Sequence, residues 1–152
     1  MHIRIIAVGG LKETYLKEGI NDHIRKMGDV CTIEVKEVAD EPVSEGASEK
    51  EIEIGKRRET ERIIRQIESG SQVILLDVEG QMYNSPQWRR LLRRVSNSGK
   101  IPVCLIIGGS HGVHKQIDCL RPKRVSFSRM TFPHQLMRLI VVEQLAHLFK
   151  RN

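Results

Sequence analysis

Three short runs in which nearly every residue is apolar set the tightest limit on how this chain can fold: Ile3 to Val8, Val73 to Leu76 and Pro102 to Ile107. Each has strand length, each is rich in Ile, Val or Leu, and each ends in turn residues (Gly9-Gly10, Glu79-Gly80 and Gly108-Gly109). Strands apolar on both faces need cover on both faces, which is the condition of a parallel sheet between helices. The intervening segments supply the helices. Lys12 to Met27 repeats Leu16, Ile20, Ile24 and Met27 at helical spacing and stops at Gly28. Ser48 and Glu51 have capping-box spacing and open a polar helix to about Glu68, with Ile52, Ile63, Ile64 and Ile67 as its apolar side. Ser85-Pro86 is read as an N-cap and N1 proline before a helix through Val95.

Weaker patterns complete the alternation. Thr32 to Val38 is a second strand, Ala39 to Ala47 a loop, and Ser96 to Gly99 a turn. A short helix from Val113 to Leu120 precedes a strand at Val125 to Ser128. The last helix runs from Pro133 to Phe149, where Leu136, Leu139, Ile140, Glu143, Gln144 and Ala146 form a face expected to pack on a partner. The expected fold class is α/β, a mostly parallel sheet with helices on both faces, in one domain over residues 1–152. The pattern leaves strand order open.

Two classes fall away on composition. Three cysteines, Cys31, Cys104 and Cys119, cannot all pair within one chain, and no C-x-x-C is present, so a disulfide scaffold is excluded and a reducing compartment expected. No apolar run approaches the ~20 residues of a membrane span, and Met1-His2-Ile3-Arg4 lacks a signal-peptide apolar region. The expectation is a cytoplasmic protein that does not engage a membrane.

Charge is distributed unevenly. Residues 1–79 carry 12 basic and 17 acidic side chains, whereas residues 80–152 carry 13 basic and only two acidic ones, Asp118 and Glu143. A basic half of this kind implies a polyanionic partner, nucleic acid first, against the alternative of a merely solvated face. Within it, Arg89, Arg90, Arg93 and Arg94 stack at i,i+4 spacing beside Trp88. Guanidinium forks match phosphate oxygens, which makes this helix the candidate RNA contact.

Ligands of open α/β sheets bind outside the carboxyl ends of the strands. Three such ends hold candidate residues: Leu76 to Gly80, Ile107 to Gly112 and Phe127 to Pro133. Neither G-x-G-x-x-G nor G-x-x-x-x-G-K-[ST] occurs, which disfavours a dinucleotide or Walker-type site. His111, His114 and Cys119 offer three ligands at a spacing that matches no common zinc site; a helix-capping or surface role is expected and no metal. No nucleophile elbow is present, and the basic half lacks paired carboxylates for acid–base work.

At these same ends the chain resembles the RlmH family. The resemblance is carried by Ser126-Phe127-Ser128-Arg129-Met130-Thr131-Phe132-Pro133-His134-Gln135-Leu136-Met137-Arg138 with Glu143-Gln144, by Ile5 to Glu13, and by Ile106-Ile107-Gly108-Gly109-Ser110-His111-Gly112. The family comprises SPOUT-class methyltransferases of large-subunit ribosomal RNA. Membership implies a trefoil-knotted α/β fold, a homodimer, S-adenosylmethionine (SAM) as methyl donor, and N3 of a ribosomal pseudouridine as acceptor. Carried over by position, the donor contacts fall on Leu76, Gly108, Phe127, Ser128, Arg129, Met130, Thr131 and Phe132. His134 and Arg138 adjoin that stretch and are the candidate catalytic residues. The ending Phe149-Lys150-Arg151-Asn152 departs from the family's Tyr-His-Arg or Tyr-His-Lys tail. The alternative reading is therefore a ribosome-binding protein with the same fold and impaired catalysis; a flavodoxin-like nucleotide binder ranks third.

Overall fold

The computed structural model describes residues 1–96 and 101–149, so most of the turn expected at Ser96 to Gly99 lies outside the described residues. Five parallel strands form one sheet: β1 (His2–Val8), β2 (Thr32–Val38), β3 (Val73–Met82), β4 (Val103–Ile107) and β5 (Lys123–Ser126), in spatial order β2-β1-β4-β3-β5. The helices are α1 (Thr14–Met27), α2 (Glu49–Arg65), α3 (Ser85–Val95) and α4 (His134–Leu148). The sheet is parallel and covered on both faces, as the apolar runs require.

Alternation along the strands shows how the cover is divided. Ile3, Ile5 and Ala7 of β1 and Val103, Leu105 and Ile107 of β4 join the core built with α1, α3 and α4. Ile6 and Val8 of β1, with Cys104 and Ile106 of β4, join the core on the other face, beneath Ile63 of α2 and Ile117. Register then aligns the strand exits. Ala7 pairs with Ile107, Ile107 with Leu76, and Leu76 with Val125, so β1, β4 and β5 finish close to the level at which β3 is interrupted after Leu76, and the segments that follow leave along one edge.

Several boundaries differ from the sequence reading for local reasons. Ser48 caps α2 as expected, accepting from the Glu51 amide at 3.2 Å. On α3 the cap is Asn84 rather than Ser85, and Asn84 and Gln87 exchange side-chain and backbone hydrogen bonds at 2.8 and 2.9 Å. The expected helix at Val113 to Leu120 is a 3-10 helix over Lys115–Leu120, capped by His114. The Val125–Ser128 strand is instead Lys123–Ser126, because Ser126 Oγ donates to Ser128 O at 2.8 Å and turns the chain.

The largest departure is in β3. Pairing does not stop at Leu76: Leu76 and Gln81 both face Val125, and Asp77 to Gly80 loop out between them. Gly80 makes this close approach feasible, since a Cβ there would lie 2.7–2.9 Å from the backbone of Arg124 and Val125. The face expected on α4 is also divided. Leu139 packs on Gly19 of α1 and Ala146 is buried, while Leu136, Ile140, Glu143 and Gln144 stay half-exposed. No helix among the described residues is long and apolar enough to cross a membrane.

Candidate active site

The three strand ends singled out from the sequence meet around one cavity of about 720 Å³. Its floor is the ends of β3, β4 and β5, and its walls are Asp77-Val78, the Gly108–Val113 turn, and the segment from Phe127 to His134. Of the proposed donor contacts, Leu76, Gly108, Phe127, Ser128, Met130, Thr131 and Phe132 line it. Arg129 does not. Its guanidinium donates to Val78 O and, at 3.0 Å, to Gly80 O, clamping the looped-out segment of β3 that forms one wall.

Each wall has a local cause. In the Gly108–Val113 segment the Gly112 amide donates to Gly109 O at 3.0 Å, and Gly112 holds φ +81°, a conformation glycine adopts without strain. A Cβ on Gly108 would stand 2.8 Å from Val113 Cγ2 and 3.3 Å from Gly112 C, so only glycine lets this turn close. Ser128 Oγ accepts from the Met130 amide at 3.0 Å, which leaves the Met130 side chain 70% exposed at the cavity mouth. Phe127 is set edge-on against Trp88 of α3, with ring centroids 4.9 Å apart and planes at 82°. On the pocket lining Arg124 bridges Asp118 Oδ1 at 2.6 Å and Asp77 Oδ2 at 2.7 Å, and these two carboxylates push its pKa upward.

His134, the first residue of α4, stands on the cavity wall. Burial, then the nearby Arg138 guanidinium, lowers its pKa below the ordinary histidine value, with Asp40 acting weakly in the opposite sense. The imidazole is therefore held toward its neutral form. Arg138 is placed differently: it is 1% exposed, outside the cavity lining, with Nη1 on Glu37 Oε2 at 2.7 Å and Nη2 on Gly9 O at 3.0 Å. It ties α4 to the ends of β1 and β2, and reaches the site only through His134.

Of the four arginines on α3, Arg90, Arg93 and Arg94 are exposed and Arg89 is half-buried, its Nε donating to Ser85 O at 3.4 Å. None has an acidic partner within ion-pair distance among the described residues. His114 follows the capping expectation, since its Nδ1 accepts from the Gln116 amide at 3.1 Å. Carboxylates border the site after all. Asp40, Glu41 and Glu59, from the acidic half, stand behind the Gly109–His111 turn. No local signal in the sequence marked them, because α2 and the loop before it reach the site only through tertiary packing.

A parallel sheet whose strand exits converge on a cavity of this size is the arrangement in which α/β proteins hold small ligands, at the carboxyl edge of the sheet. A family model described as predicted SPOUT methyltransferase matches residues 1–150. The chain belongs to that family, the SPOUT methyltransferases, and so to enzymes that use a methyl donor. It is 43% identical over 150 residues to Ribosomal RNA large subunit methyltransferase H of Acetivibrio thermocellus and 42% identical over 150 residues to the protein of that name from Bacillus pumilus, in each case covering 99% of this chain and 94% of the relative. The Lactococcus lactis subsp. lactis protein of the same name is 40% identical over 145 residues, covering 95% of this chain and 91% of that one.

Proposed function

We propose that the protein is a SAM-dependent methyltransferase that modifies N3 of a pseudouridine in large-subunit ribosomal RNA, acting as a cytoplasmic homodimer. The observation that carries this reading is the convergence of the Leu76, Gly108 and Phe127–Phe132 segments on one cavity in a chain of this family. The cavity suits the donor. Leu76, Phe127 and Met130 offer apolar surface to an adenine, and the turns around Gly108 and Ser128 bring backbone groups to the wall, where they can read its edge. Bound there, SAM supplies an electrophilic methyl carbon on a sulfonium.

The residues of this chain have two tasks: aligning the acceptor nitrogen and receiving its proton. His134 sits at the cavity wall in the form that accepts a proton, because its burial and Arg138 disfavour the cation. Arg138 positions it by locking α4 to Glu37 and Gly9. RNA phosphates have a counterpart in the exposed arginines of α3, which Trp88 connects to the Phe127 wall. The homodimer has a candidate surface in Leu136 and Ile140, one turn apart on the side of α4 opposite its buried Arg138, Val141 and Leu145.

Incubation of the protein with methyl-labelled SAM and ribosomes tests the reading. Label in large-subunit RNA at N3 of a pseudouridine is the expected result. SAM binding without any transferred label would favour the ribosome-binding alternative.

A further inference from the structure

A second cavity, of about 280 Å³, lies against the first, and Gly109, Ser110, His111 and His134 belong to the walls of both. Val8, Pro42, Val43 and Ile52 give it apolar surface, and Asp40, Lys56 and Glu59 give it polar groups. Glu59 is the unusual one. It is 8% exposed, and its Oε2 accepts from the Glu41 amide at 2.9 Å. Its Oε1, 3.2 Å from where a Cβ of Gly109 would stand, has no hydrogen-bond donor among the described residues. With no donor from the described residues on Oε1, that oxygen is free to accept from a ligand N–H entering the cavity.

We propose that this second cavity receives the acceptor base, turned out of its RNA strand, with N3 directed past His134 toward the donor cavity and Glu59 accepting from another base N–H. The inference rests on the methyltransferase reading above and adds the acceptor's place to it. A methyl transfer needs its two reactants in adjoining spaces with the acceptor in line, and these two cavities share four lining residues. The apolar walls suit the faces of a single heterocycle, as in other sites that extrude a base. Lys56, whose Nζ also meets Glu53 at 3.2 Å, can donate to a ring carbonyl, and the carboxylates of Asp40 and Glu59 in the lining favour an uncharged base over a phosphate. In the step itself the C–S bond breaks with its electron pair remaining on sulfur, carbon bonds to N3, and the N3 proton passes to the His134 imidazole.

The same arrangement explains a choice of base. Pseudouridine carries a second ring N–H where uridine in the same orientation presents C–H. Glu59 Oε1 can accept from the first and gains nothing from the second.

Two variants test the subsite, each assayed for methyl transfer to ribosomes carrying pseudouridine or uridine at the acceptor position and for SAM affinity by calorimetry. Val43→Trp fills the cavity and should lower transfer by about a hundredfold with SAM affinity unchanged. Glu59→Gln keeps an acceptor for the Glu41 amide and should narrow the preference for pseudouridine over uridine, again with SAM affinity unchanged. Full transfer by Val43→Trp, or transfer and SAM affinity falling together in both variants, would overturn the proposal. A wild-type protein that binds SAM yet labels neither ribosome would overturn the functional reading, and the subsite with it.

Discussion

The chemistry of His134 is set by what stands around one imidazole. Burial and the Arg138 guanidinium both oppose protonation, and Asp40 offsets them only in part. The neutral, proton-accepting form therefore persists to a lower pH than in a free histidine, whose pKa is 6.5. Methyl transfer should fall as pH drops through a value below 6.5, and a pH–rate profile of the wild type would show that acid limb. His134→Gln should remove the limb and slow transfer by about 10²–10⁴-fold while SAM affinity stays the same. A profile unchanged by the substitution would assign the proton to another group. His134 could be nominated from sequence because it adjoins the resembling segment. The pairing of Arg138 with Glu37, 101 positions away, could not, since no local pattern connects the two. Glu59 was hidden for the same reason: on a polar helix one more glutamate reads as solvent-facing, and only the packing of α2 beneath the Gly109 turn buries it.

Among the secondary-structure elements, the close approach of β3 to β5 at Gly80 and the arginine face of α3 make separate demands. At Gly80 there is no room for a side chain, so Gly80→Ala should destabilise the fold by about 1–3 kcal/mol through overpacking. Denaturant melts would measure it, and an unchanged midpoint would mean that the backbones can separate freely. The arginines of α3 bear on the proposed RNA contact. Replacing Arg89, Arg90, Arg93 and Arg94 by Ala should leave SAM binding intact and reduce the slope of log affinity for RNA against log salt by up to about 3, since each lost phosphate contact removes ~0.7. An unaltered slope would make the helix a solvated surface. At this scale the sequence was informative wherever periodicity or a cap carried the signal, as for α1, α2 and the apolar strands. It failed where Leu76 and Gln81 share one partner, because a looped-out register is determined by the neighbouring strand.

At the scale of the whole molecule, function follows from the alignment of strand exits. Ala7, Ile107, Leu76 and Val125 stand on one level, and the segments that follow the last three have one shared space to enclose. Strand order, which decides that β4, β3 and β5 are neighbours, was not legible in apolar runs that look alike. The resembling motifs instead pointed to the three segments that the sheet brings together. Gly108 is the most direct place to test the result, because a side chain there would displace the Gly112–Val113 turn and close the cavity without entering the core. Calorimetric titration of SAM into the wild type and into Gly108→Val, with circular dichroism of both, measures it. The prediction is a binding isotherm for the wild type, none for Gly108→Val, and superimposable spectra; equal SAM affinity in the two proteins, or no binding to the wild type, would contradict it.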